Sequence, residues 1–110
     1  MKLYVSHYPA QDTSVFEEAY VSFSENGNNF GNEITYKPII GFNTTTKRAG
    51  YVTLGIVGKI GDAIRCRFKY GSLNLLLISE IEVKTITGKV LLIVIWLLIS
   101  RQMTHLILNS

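Results

Sequence analysis

Seven consecutive residues, Ile64-Arg65-Cys66-Arg67-Phe68-Lys69-Tyr70, alternate apolar and basic without a break. Successive side chains of a strand point to opposite sides, so Ile64, Cys66, Phe68 and Tyr70 share one face and Arg65, Arg67 and Lys69 the other. A helix would scatter the same residues around its axis, so the segment reads as a strand with one buried and one wet face. The same period recurs in Ala19-Tyr20-Val21-Ser22-Phe23-Ser24, where Ala19, Val21 and Phe23 lie together. Glu25–Asn29 then supplies residues that tolerate positive φ, and Glu33–Lys37 resumes the alternation before Pro38 removes a ladder donor. This pair reads as a hairpin or meander.

Beyond a polar loop at 41–50, Tyr51–Leu54 is a further strand, rich in β-branched and aromatic residues. Gly55, Gly58 and Gly61 punctuate the stretch before Ile64. After Gly71-Ser72 the segment Leu75–Val83 is apolar on both sides at first and alternates from Ser79 onward, as a strand leaving the core for solvent would. Five strands and no convincing helix through Thr87 predict an all-β sandwich or barrel. From Val90 to Ile99 the chain is an unbroken apolar run of ten, stopped by Ser100-Arg101-Gln102. A helix crossing a bilayer needs ~20 apolar residues, so the run is too short to span. It leaves a buried strand, a partner-bound segment, membrane association of 90–99 as an interfacial anchor, or sequence foreign to the domain.

At 110 residues the chain has room for one domain, and 47% hydrophobic with 17% charged residues places it outside the disordered class. Charge is segregated along it. Residues 1–33 set Lys2 against Asp12, Glu17, Glu18, Glu25 and Glu33, whereas 34–87 carry the basic excess. Solvated loop and strand faces account for such a pattern. Cys66 is the sole cysteine, which excludes a disulfide within the chain. Met1–Pro9 has a lysine but no apolar core of signal-peptide length, so no export signal is visible.

Arg65, Arg67 and Lys69, with Lys47, Arg48 and Lys59, suggest a basic strip, and Phe68 and Tyr70 suggest stacking aromatics. Alternation puts those aromatics on the opposite face, whereas a nucleic-acid platform needs both on one surface, so nucleic acid is not the expected partner. The glycines at 55, 58 and 61 lack the Gly-Lys-Ser/Thr of a phosphate loop, and kinase motifs are absent, so no catalytic residues are expected. His7 and His105 have no companions at ligand spacing. Asn43-Thr44-Thr45 matches the N-glycosylation acceptor. Ser79 and Glu80, where the last strand turns polar, are a candidate oxygen pair for Ca²⁺, although an exposed acid on a strand commonly serves no metal.

Taken together, Tyr51–Ile60, then Ile64-Arg65-Cys66-Arg67-Phe68, then Leu76-Leu77-Ile78-Ser79-Glu80-Ile81 resemble the second, discoidin-like ectodomain of discoidin domain receptors. The family's final strands read Cys-Arg-Phe, then Leu-Leu-Phe-Ser-Glu-Ile. Upstream, Ala19–Phe23 and Phe30–Pro38 sit where the family has a comparable strand followed by a Trp/Phe and a Glu-Pro. The resemblance covers Phe16 to Thr85 and is most specific from Cys66 to Ile81. It implies a jelly-roll-like β-sandwich of galactose-binding (discoidin) type on a single-pass receptor. In that receptor the preceding discoidin module binds collagen and a cytoplasmic tyrosine kinase signals, with this domain supporting and orienting the module.

By the same resemblance, Ser79 and Glu80 match positions of a Ca²⁺ site whose other ligands lie upstream. Cys66 matches a disulfide cysteine whose partner falls at Val21, and Leu75 stands where a tryptophan is expected. The chain then divides into an N-terminal segment, 1–15, of undefined structure, a partial discoidin-like domain, 16–87, and a hydrophobic extension, 88–110, that matches nothing in the family. The reading is a non-enzymatic fragment of a receptor ectodomain on the extracellular side of the plasma membrane, with collagen reached through the neighbouring module and a receptor dimer as the expected assembly. Two alternatives stand beside it: a free-standing glycan- or ligand-binding sandwich built on loops 25–33 and 41–50, and a truncated product without autonomous function.

Overall fold

The computed structural model describes residues 1–26, 28–56, 63–71, 73, 75–84, 90–100 and 105–109. Among the described residues nine strands run in order: β1 (Lys2–Ser6), β2 (Glu18–Ser24), β3 (Ile34–Tyr36), β4 (Ile39–Ile40), β5 (Ala49–Thr53), β6 (Ala63–Lys69), β7 (Leu75–Lys84), β8 (Val90–Ser100) and β9 (His105–Asn109). They form two sheets, β4-β5-β1-β7-β8 and β3-β2-β6-β9, with every strand pair antiparallel. The all-β sandwich expected from the alternation is the architecture found.

Between the sheets lies one core. Leu3, Val5, Val52, Leu54, Leu76, Ile78 and Ile81 enter from the first sheet, and Ala19, Val21, Cys66 and Phe68 from the second. Phe16 reaches in from the connection before β2 and sets its ring 4.9 Å from that of Phe68, a tilted aromatic pair. β2 and β6 are in full register from Glu18↔Lys69 to Ser24↔Ala63, which makes Val21 and Cys66 direct neighbours.

The first fifteen residues, which the sequence alone leaves without structure, hold the central strand of the larger sheet. β1 pairs with β5 from Lys2↔Thr53 to Ser6↔Ala49 and with β7 from Lys2↔Glu82 to Val5↔Ile78. A short 3-10 turn, Pro9–Gln11, comes next, closed by Asp12 at φ 57°, a left-handed conformation that Asp tolerates. Thr13 then bridges to Leu75. β1 has the pattern of a half-buried strand: Leu3 and Val5 are fully buried, whereas Lys2 is exposed and Tyr4 only partly covered.

β7 contains the feature that shapes the outer surface. Along β1 the register steps from Tyr4↔Glu80 to Val5↔Ile78, so Ser79 is an extra residue, a β-bulge. The bulge reverses the side-chain parity: Leu76 and Ile78 face the core before it, Ile81 after it. The pairing of β7 with β8 is also irregular between Ile78 and Glu80.

The apolar run 90–99 lies within β8, beside β7, and β9 adds a strand to the edge of β6. Of the readings left open for that run, the backbone takes the strand, although its side chains lie outside the described set. No helix among the described residues is long and apolar enough to cross a membrane.

Candidate functional site

On the outer face of the five-stranded sheet the registers align Tyr51, Tyr4 and Glu80 in one row across β5, β1 and β7. The Tyr4 and Tyr51 rings meet edge to face, with centroids 5.0 Å apart. Tyr51 reaches past Tyr4 and donates its hydroxyl to Glu80 Oε1 at 2.6 Å. That bond, then burial, then the negative charges of Glu80 and Glu82, push the Tyr51 phenol above its ordinary range. In the next row Lys2 stands between Thr53 and Glu82, and its Nζ lies 6.0 Å from the Tyr51 ring centroid.

Ser79, the bulged residue, donates its hydroxyl to the Tyr4 carbonyl at 3.5 Å, a long contact. Ser79 and Glu80 are thus adjacent oxygen donors raised on a bulge, a position from which strands commonly re-aim side chains. Among the described residues no group of three or more His, Cys, Asp or Glu side chains could hold a metal ion. A calcium ion takes 6–8 oxygens, so this pair would be a minority of any complete set. Tyr51 is the member of this face that sequence reasoning does not single out; its alternation with Val52 is the available signal.

On the other sheet the basic strip is engaged with acids from the first third of the chain. Arg67 makes a two-pronged pair with Glu33, Nε–Oε2 at 2.7 Å and a second bond at 2.8 Å, and its guanidinium lies 5.1 Å from the Tyr20 ring. The bond to Arg67 holds the Glu33 carboxyl below the usual carboxylate range. Lys69 stands 3.4 Å from Glu17 and 3.6 Å from Glu18. Arg65 lies over Phe30, 4.7 Å from its centroid, so the loop after β2 folds back across the sheet. Ser22 and Ser24, two hydroxyls that alternation alone places on the wet side, are also buried. Phe68 sits in the core and Arg67 and Lys69 outside it, as the period requires; Lys59 lies outside the described residues.

Cys66 is wholly buried, and burial pushes its thiol up to about 12. It faces Val21, the position that the family resemblance assigns to its partner. His7 Nδ1 accepts the Val15 N–H at 3.4 Å, a packing role, and His105 opens β9 with its side chain outside the described set. Asn43 is exposed in the loop between β4 and β5. The loop 25–33 is occupied by its own bonds, with Asn26 Oδ1 accepting the N–H groups of Asn28 and Asn29. A shallow cleft lined by Phe16, Tyr70, Leu73 and Leu76 has no room for even a water molecule, so it is no ligand pocket.

Comparison with known proteins returns one family: the DS-like domain of discoidin domain-containing receptors 1/2 matches residues 1–85. The match takes in β1 to β7, including the first fifteen residues, which the resemblance beginning at Phe16 does not reach, and it ends before β8. Neither the curated proteins nor the solved structures contain a match.

Proposed function

Because the chain belongs to the DS-like domain family of discoidin domain-containing receptors 1/2, we propose that it is part of a receptor's extracellular region, where it supports and orients a collagen-binding module and has no catalytic role of its own. The observation that carries this reading is the family match across both sheets, joined to an outer face whose donors are incomplete by themselves. Collagen is reached through the neighbouring discoidin module, and collagen-dependent kinase signalling and adhesion belong to the larger receptor, acting as a dimer.

Ser79 Oγ and Glu80 supply two oxygens toward a Ca²⁺ ion at the junction with that module, which contributes the remainder. A bound Ca²⁺ would neutralise the carboxylate there and tie the two surfaces together without chemistry. Tyr51 positions Glu80 by holding Oε1, leaving Oε2 to the ion.

The test is association of the chain with a separately produced discoidin module, measured by calorimetry in Ca²⁺ and in EGTA. Binding in Ca²⁺ that weakens at least tenfold in EGTA, and likewise in Glu80→Gln, is the expected result. Absence of association in both conditions, with specific binding on a glycan array, would transfer the assignment to a free-standing ligand-binding sandwich.

A further inference from the structure

The β4–β5 hairpin leaves two things exposed side by side. β4 is the terminal strand of the five-stranded sheet, and its two residues are bare, Ile39 at 64% and Ile40 at 48% exposure. A terminal strand with apolar side chains is a template for pairing with another chain unless something covers it. Three residues after Ile40 comes Asn43-Thr44-Thr45, the sole N-glycosylation acceptor triplet in the sequence.

The loop is built to hold that triplet outward. Gly41 N–H bonds the Tyr51 carbonyl at 2.9 Å, prolonging the hairpin beyond β4. Phe42 then folds back over Gly50, where a Cβ would run into its ring, so the loop is anchored inward at 42 and exposed at 43. Asn43 Oδ1 accepts the Thr45 N–H at 2.9 Å, and its backbone carbonyl accepts the Lys47 N–H at 2.9 Å. The side-chain oxygen is therefore turned to its own turn, while the amide nitrogen Nδ2 has no hydrogen-bond partner among the described residues. Three residues of chain span at most about 11 Å, so a bulky group on Nδ2 stands beside Ile39 and Ile40.

We propose that Asn43 carries an N-linked oligosaccharide that covers the open β4 edge. The modification rests on the extracellular reading above, since only a chain entering the secretory route meets the donor, a lipid-pyrophosphate-linked oligosaccharide. In the transfer, Asn43 Nδ2 forms a bond to the anomeric carbon of the sugar as the carbon–oxygen bond to the lipid pyrophosphate breaks. The pyrophosphate leaves with the electron pair, and the amide gives up one proton to the transferase. No oxidation state changes.

The experiment is expression of the full chain in eukaryotic cells, once as it stands and once behind a cleavable secretion leader. With the leader, the protein is expected to run as a slower species that peptide-N-glycosidase F collapses, with Asn43 converted to Asp in the released peptide. Thr45→Ala and Asn43→Gln each lose the shift, and Thr46→Ala keeps it. A leader-directed chain without the shift overturns the site, whereas a leader-directed chain that carries the shift at Asn43 supports it. Trimming the glycan from the folded protein is expected to convert a monomer to self-associated species in sedimentation; an unchanged monomer overturns the covering role.

Discussion

Val21→Cys places a second thiol directly opposite Cys66, in the middle of the β2–β6 register. Directly opposed residues hold their Cβ atoms about 4.5–5.5 Å apart, and a disulfide needs about 3.5–4.5 Å, so the two strands must close by up to about 1 Å. The bridge would enclose a loop of about 45 residues, for which the chain-entropy relation gives about 4 kcal/mol. Against this stands the strain of closure, about 1–2 kcal/mol. The oxidised variant should therefore be about 2–3 kcal/mol more stable than its own reduced form, a rise of roughly 10–20 °C in Tm. Urea unfolding with and without reductant, beside a thiol count in denaturant, measures both quantities. If oxidation leaves two titratable thiols in every molecule, or yields only intermolecular bridges, Val21 and Cys66 are not opposed and the β2–β6 register is refuted.

The lone thiol, buried and pushed up to about 12, should resist alkylation by iodoacetamide at pH 8 in the folded protein and react readily in urea; equal rates in both would contradict its burial. Glu33→Gln breaks the two-pronged pair with Arg67, whose side chains are 45% and 30% exposed, so solvent screening limits the loss to about 0.5–1 kcal/mol by denaturant titration. Because Arg67 depresses the Glu33 carboxyl below 4.5, that contribution is present above pH 4.5 and vanishes as the pH falls through the folded value, so wild type and variant should converge in stability in acid. Ile78→Ala opens a cavity at a fully buried position and should cost about 2–5 kcal/mol in the same assay; a loss below 1 kcal/mol would mean the two sheets do not pack there.

How much of the fold is legible in the sequence depends on how long each periodic signal runs. β6 alternates from Ile64 to its end, so its buried and wet faces are both readable. β1 carries the same pattern over only five residues, too few to stand out before Pro9, and β4 is two isoleucines with no pattern at all. Alternation places Ser22 and Ser24 on the wet side because it sees one sheet by itself, whereas the folded molecule buries both. The bulge at Ser79 is concealed by the apolar run Leu75–Ile78, although the spacing of the core residues Ile78 and Ile81 contains it. The charge asymmetry, an acidic first third and a basic middle, resolves into ion pairs between Glu17, Glu18 or Glu33 and Arg67 or Lys69, whose positions along the chain say nothing of their meeting. For the outer face, Ser79 and Glu80 come from family likeness, and Tyr51 requires the register.

The central place of β1 governs when the molecule can fold. Its two partners are β5 and β7, about fifty and seventy-five residues further along the chain, so Leu3 and Val5 stay without a counterpart until both have been made. The larger sheet is closed by its most distant pairing, the kind of topology whose loop-closure entropy must be met before any contact rewards it. Assembly of this sheet is therefore slow beside that of a helical domain of equal length. Over that interval Leu3, Val5 and the apolar strands after them are exposed to other nascent chains, and the yield of folded protein will depend on chaperones and expression temperature more steeply than its final stability suggests.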